Sequence, residues 1–260
     1  VAIRKEKRRA TAAAAAPERD TSQLPLFLQL REILVRRIGS GTIGVGGRLP
    51  SERELAAELG VARMTIREAL RMLEGEGLIY RAERRGYFVS PPRLRYDPTQ
   101  HVNVMRLIPS QGHIAEPLYL GRLRTEATGS LARMFDCEEG EPLILERAVA
   151  LMNGRRIEYG ELFLLEKAVP GYCDLPYESP LTQTLERRHG IRTEMIGFRA
   201  RPTNLFGVAT EALGVRAGSP GLHITRIKQH GGRVVEVDRE YWLSDALEIV
   251  VGQFPEPRDA

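Results

Sequence analysis

Residues 48–70 read RLPSERELAAELGVARMTIREAL, and the punctuation of this stretch decides the fold of the first third of the chain. Pro50-Ser51 opens a helix. Ser51 followed by Glu54 makes a capping box, in which hydroxyl and carboxylate satisfy amides that the first turn leaves without partners. Leu55, Ala56 and Leu59 give this helix its buried face, and Gly60 ends it. A further helix begins near Ala62, with Ile66, Ala69, Leu70 and Leu73 recurring at helical steps. Two short helices joined by a tight glycine turn form a helix-turn-helix. At about 100° per residue, Met64, Arg67 and Arg71 project away from the apolar face, and Arg63 sits at the leading end.

The flanks complete a larger unit. Upstream, Leu26, Leu30, Ile33, Leu34 and Ile38 define one face of a preceding helix, which glycines from Gly39 to Gly47 terminate. Downstream, Leu78-Ile79-Tyr80, the turn Glu83-Arg84-Arg85-Gly86 and Tyr87-Phe88-Val89 read as a two-stranded hairpin with a basic tip, a wing. Ser90-Pro91-Pro92 cannot continue regular pairing, because proline has no amide hydrogen to donate. The expected division is a basic, Ala-rich mobile tail over residues 1–22, a winged helix-turn-helix over 23–90, a linker over 91–98 and a second domain over 99–254.

Composition sets the outer bounds. A chain of 260 residues, 42% hydrophobic and 28% charged, is neither disordered nor fibrous and has room for two cores. The net charge of +4 is unevenly spread: residues 1–96 hold 19 Lys and Arg against 11 Asp and Glu, whereas the remainder holds 19 against 23. That segregation suits a polyanion-binding first module joined to a module with another task. No apolar run approaches the ~20 residues of a membrane span, so the cytoplasm is the expected compartment. Cys137 and Cys173 lie outside any Cys-x-x-Cys spacing, and the five histidines show no metal-ligand spacing. There is no G-x-S-x-G elbow and no phosphate loop ending in Lys-Ser/Thr, so no catalytic residue, metal or cofactor is expected.

The second domain contains a repeat. Gly140, Pro142, Gly154, Arg155 and Glu158 match Gly218, Pro220, Gly232, Arg233 and Glu236 at one spacing, and Phe163-Leu164 parallels Tyr241-Trp242. Each passage reads as a short helix, a Gly-x-Pro turn, a strand, a Gly-Arg turn and a second strand. Two such hairpins predict an antiparallel sheet with helices on one face and a ligand pocket between the halves.

The run from Arg48 to Ala56, then Gly60-Val61, Arg63, Thr65, Arg67, Ala69 and Leu70, with Glu76-Gly77-Leu78-Ile79 and Gly86-Tyr87-Phe88-Val89, closely resembles the DNA-binding head of GntR-type transcription regulators. The Gly-x-Pro turn, an arginine on the following strand and the late Val-Glu-x-x-x-x-Tyr-Trp run resemble the UTRA effector domain of the HutC subfamily. The resemblance implies an α+β protein: a winged helix-turn-helix joined to a chorismate lyase-like domain with an antiparallel sheet and flanking helices. It also implies that Arg53, Arg63 and Arg67 meet operator DNA, with Thr65 beside them and Arg84, Arg85 and Gly86 at the wing. Met64 stands where a polar residue is usual, which suits an apolar contact such as a thymine methyl, and Ala62 replaces a serine. In the effector domain, Arg147 matches the first of two arginines that hold an anion, and Val149 stands at the second. Glu236 matches an acidic position near the pocket, Trp242 an aromatic one, and Leu243 stands where an arginine is usual.

The function so implied is sequence-specific transcription regulation, with repression by a homodimer on a palindromic operator and release by a small anionic effector. Two other readings stay open. One is a chorismate lyase-like enzyme fused to a DNA-binding head, against which the missing acid/base set counts. The other is an architectural DNA-binding protein that needs no effector.

Overall fold

The computed structural model describes residues 24–82, 85–100, 103–177 and 181–252. The expected tail over residues 1–22 lies outside the described residues, as does Arg84.

Three helices, α1 (Leu26–Gly39), α2 (Glu52–Leu59) and α3 (Arg63–Gly75), bury Leu30, Leu34, Leu55, Ile66, Leu70 and Leu73 in one core. The antiparallel hairpin β1 (Ile79–Ala82) and β2 (Gly86–Val89) closes that core with Ile79, Tyr87 and Val89. The capping box is formed: the Glu54 amide donates to Ser51 Oγ at 3.2 Å, and the Ser51 amide donates to Glu54 Oε2 at 2.7 Å. Gly60 turns the chain with φ +67°, a left-handed conformation that costs glycine little. Leu26, expected on the apolar face, is exposed, because it opens α1 and lies ahead of the residues that reach the core.

The stretch expected to link the domains carries a strand, β3 (Leu94–Tyr96). After α4 (Val104–Ser110), the chain forms β4 (Ala115–Glu126), α5 (Ser130–Phe135), β5 (Pro142–Met152) and β6 (Arg155–Leu165). Then, beyond α6 (Leu181–His189), come β7 (Glu194–Asn204), α7 (Val208–Leu213), β8 (Pro220–His230) and β9 (Arg233–Leu243), with β10 (Leu247–Ile249) last. Both ends of α5, β5 and β6 recur in α7, β8 and β9 at the spacing of Pro142 and Pro220, so the repeat read from the turns extends to whole elements. Even the bulges correspond, Ala150/Leu151 in one half and Lys228/Gln229 in the other.

The six long strands form one antiparallel sheet in the order β4-β5-β6-β9-β8-β7, so the halves meet where β6 pairs with β9. Helix α5 packs on β9 and α7 on β6, crossing between the halves. The opposite face carries the N-terminal ends of α4 and α6. β3 pairs in parallel with β10, which ties the chain leaving the head to the far end of the effector domain.

The head is docked there. Arg155 Nη2 donates to both carboxylate oxygens of Asp245 at 2.9 and 2.7 Å, and its guanidinium carbon lies 3.8 Å from the centre of the Tyr80 ring. Ser90 Oγ donates to the same carboxylate at 2.9 Å, and Arg93 donates to the Glu76 carbonyl at 2.8 Å. Gly77, at φ +75°, lies so close that an added Cβ would stand 2.9 Å from Asp245 Cβ, so the turn quoted as Glu76-Gly77 is a docking point as well as a helix stop.

Candidate functional site

The head presents α3 to solvent. Arg63 and Met64 are exposed, Met64 at 64%, and Arg67 keeps 42% of its side-chain surface, while Ile66, Ala69, Leu70 and Leu73 face inward. Arg67 is oriented rather than free: Nη2 donates to Glu52 Oε2 at 2.8 Å, and this hydrogen bonding, helped by the guanidinium charge, holds the Glu52 carboxyl below the usual carboxylate range. Thr65 is half-buried in the first turn, and no side chain caps that turn. The Thr65 amide donates to the Ala62 carbonyl at 3.0 Å, which leaves the Arg63 and Met64 amides ahead of it to meet an anion. Arg53 is exposed on α2. At the wing, Arg85 lies 5.4 Å over the Phe88 ring and Gly86 adopts φ +103°. Arg48, which sequence reasoning used only as part of the family motif, is exposed and reaches Gly86: a Cβ there would stand 3.4 Å from Arg48 Nε. These basic groups lie on the helix-turn-helix and its wing.

A second site lies on the sheet face opposite α5 and α7, where a cavity of about 200 Å³ opens between the sheet and the starts of α4 and α6. Alternate residues of a strand share a face, so β9 contributes Glu236, Asp238 and Glu240, β8 contributes Arg226 and Lys228, and β5 and β6 contribute Glu146 and Glu158. Arg226 Nη2 donates to Glu240 Oε2 at 2.9 Å, and Lys228 Nζ contacts Asp238 Oδ2 at 2.7 Å and pairs with Glu236. Glu146 is matched from behind by Arg122, whose Nε donates at 2.7 Å, and by the Tyr172 hydroxyl at 2.9 Å. Tyr96 of β3 forms part of the wall, its ring under the Arg226 guanidinium at 4.9 Å.

Residues 26–89 match the gntR family of bacterial regulatory proteins, and residues 110–248 match the UTRA domain. The chain belongs to the GntR family of regulators, in its UTRA-containing, HutC-like branch. Among curated relatives it is 29% identical over 223 residues to the HTH-type transcriptional regulator YihL of Escherichia coli K12, covering 85% of this chain and 94% of that one. It is 32% identical over 149 residues to the histidine utilization repressor of Pseudomonas putida, covering 57% and 60%. The crystal structure of PhnF from Mycobacterium smegmatis shares the fold, with a TM-score of 0.58 at 23% identity, covering 87% and 99% of the two chains.

For this GntR-family chain the geometry places Glu236, of the three effector residues expected from sequence, on the cavity, and Arg147 and Trp242 off it. Arg147 does not line the cavity: it stands opposite Glu161 in the ladder, its Nε 3.6 Å from that carboxylate, because strand alternation sends Glu146 and Ala148 to the cavity and Arg147 to the other face. Trp242 is 1% exposed in the hydrophobic core, and its Nε1 donates to Glu240 Oε2 at 2.9 Å, so it buttresses a wall residue from beneath. Glu236 alone of the three faces the cavity. Both cations on that wall, Arg226 and Lys228, hold carboxylates. The regulator's wall residues Glu146, Glu158, Arg226, Lys228, Asp238 and Glu240 escaped sequence reasoning, although the alternation Glu236-Val237-Asp238-Arg239-Glu240 was a visible signal.

Burial pushes the Glu236 carboxyl up to about 7, against the pull of Lys228 and with the push of Asp238. Folding therefore raises its proton affinity, and its contribution to stability is present below the ordinary carboxylate range and lost as pH rises through about 7. The melting temperature of the ligand-free protein should fall between pH 5 and 8 more steeply than that of Glu236→Gln. Parallel melting curves across that range would show Glu236 to be insulated from the burial that surrounds it.

Proposed function

We propose that the protein is a repressor that binds a palindromic operator as a homodimer in the cytoplasm and leaves it when a small molecule fills the cavity, without catalysis of its own. The division into head (23–90), linker (91–98) and effector domain (99–254) underlies this reading. The observation that carries it is the place of Tyr96: it belongs to the strand that follows the head, and its ring is also a wall of the cavity. A ligand that contacts that wall has a direct route to the segment that positions the head. On the head itself, Arg53, Arg63, Met64, Thr65, Arg67, Arg84, Arg85 and Gly86 would meet the operator, Arg forks suiting guanine edges or phosphates. Two identical heads related by a two-fold axis require two equivalent half-sites.

Binding energy enters through the difference between two arrangements of the heads. The effector releases DNA only insofar as it prefers the arrangement in which they miss the half-sites. The test is footprinting of the full-length protein on its own upstream region, repeated with a panel of small metabolites. A protected, two-fold-symmetric site that at least one compound opens supports the reading. Protection spread without sequence preference, unaffected by any compound, contradicts it.

A further inference from the structure

We propose that the cavity takes a small organic cation, an amine or guanidine, whose charged group occupies beside Glu158 the place that Lys228 fills beside Glu236 in the other half of the sheet. This rests on the effector reading above and names its ligand class.

The two halves of the sheet are built alike, and their differences locate the ligand. Glu158 and Glu236 are equivalent positions of β6 and β9; both are buried and both face the cavity. Across the ladder from Glu236 stands Lys228; across from Glu158 stands Ala150, and Ala148 takes the place of Arg226. The first half has kept the acid and lost both bases. It has also lost volume: Gly160 is opposite Ala148, and a Cβ on it would lie 2.7 Å from Glu158 Oε1. The carboxylate thus lies over bare backbone, beside a hollow that the second half fills with Arg226 and Lys228.

Charge leads to the same chemistry. The buried carboxylates of the wall are Glu146, Glu158, Glu236, Asp238 and Glu240, whereas the cations paired with them are Arg122, Arg226 and Lys228. Acids outnumber bases in a dry interior, where an uncompensated charge is costly; burial, and then the Glu240 charge, push the Glu158 carboxyl well up, and a cation beside it would favour its ionised form. Moreover, Glu236 Oε2, Asp238 Oδ1, the Tyr96 hydroxyl and, as a donor, Arg226 Nε are buried with no hydrogen-bond partner, so oxygens outnumber the one N–H among these atoms, and their residues are at most 8% exposed. Buried polar atoms normally have partners, and an ammonium or guanidinium brings several donors and the missing positive charge together. An anion would instead compete with carboxylates that already hold Arg226 and Lys228. Met105, Pro117, Leu162 and Met195 supply apolar wall for the rest of the ligand. The volume of about 200 Å³ is below the roughly 300–1,000 Å³ of pockets that hold drug-sized molecules, so the ligand is small.

The test is calorimetric titration of the full-length protein with 1,4-diaminobutane, agmatine, histamine and glucosamine, set against succinate, glucose 6-phosphate and calcium chloride. Binding of at least one amine, weakened tenfold or more in Glu158→Gln while that variant melts no lower than the parent, supports the proposal. Ala150→Lys, which installs the second half's lysine, should abolish amine binding and raise the melting temperature of the free protein. If no amine binds, if only the anions or calcium bind, or if Glu158→Gln binds amines as the parent does, the proposal is overturned. An operator-retention assay run alongside separates the two readings. An amine that binds through Glu158 without releasing DNA leaves the ligand class standing and removes the effector role. An anion that releases DNA does the reverse.

Discussion

Alanine at Arg63 and Arg67 together should weaken operator binding by at least about thirtyfold, since a well-placed guanidinium fork on a base edge contributes about 1–3 kcal/mol. Neither residue belongs to the core of the head, so the melting temperature of the variant should stay close to that of the parent. The Glu52 contact gives the prediction a finer form. In the free protein Glu52 holds the Arg67 fork, which restricts its rotamers before DNA arrives and must be exchanged or shared when it does. Arg67→Lys keeps the charge and loses the fork, so it should lose discrimination between operator and unrelated DNA more than it loses affinity for either. Arg71→Ala is the internal control: Arg71 lies farther along the helix, exposed and 3.6 Å from Glu68, and should change affinity little. Equilibrium binding to operator and scrambled duplexes at several salt concentrations separates these cases, because a lost phosphate contact lowers the salt dependence and a lost base contact does not. Unchanged operator affinity in the double variant would remove α3 from the interface.

The head was legible in the sequence because its signals are local. Ser51 and Glu54 are one helical turn apart, Gly60 ends the helix they begin, and the apolar positions of α3 follow a helical period. Nothing distant had to be known. The repeat was legible for a similar reason, because Gly and Pro mark its turns. A pocket between the halves was legible but its lining was not, because that lining is made by register between strands far apart in sequence. Whether Arg147 or Glu146 faces a ligand depends on strand parity, and parity along β5 cannot be counted from the hairpin turn without knowing of the bulge at Ala150. Trp242 shows the same limit from another side. It shares parity with Glu236, Asp238 and Glu240 and still lies off the cavity, because packing against the core covers it. The strand within the linker was hidden as well, since β3 exists only by pairing with residues near the other end of the chain.

The second large effect concerns the joint between the domains. Asp245→Ala leaves the Arg155 guanidinium, whose side chain is 15% exposed, against the Tyr80 ring without its anion, and it removes the acceptor of Ser90. Removing one member of a buried ion pair costs about 3–5 kcal/mol, far more than the intact pair contributes, because the remaining charge is stranded. Much of that cost can be avoided if the head undocks and Arg155 reaches water. The variant should therefore melt in two calorimetric transitions where the parent melts in one, and amides around Gly77 and Ser90 should exchange faster. Replacing both partners, Arg155→Leu with Asp245→Leu, should recover most of the stability, since neither charge is then stranded. It should not recover the effector response if the joint transmits it: Arg155 begins β6, which carries Glu158, and Asp245 follows β9, which carries Glu240. A compound that releases operator from the parent should bind the double variant and leave its DNA in place. Were Asp245→Ala to melt as one unit and release DNA normally, the joint would be a structural contact only, and coupling would have to run through Tyr96 alone.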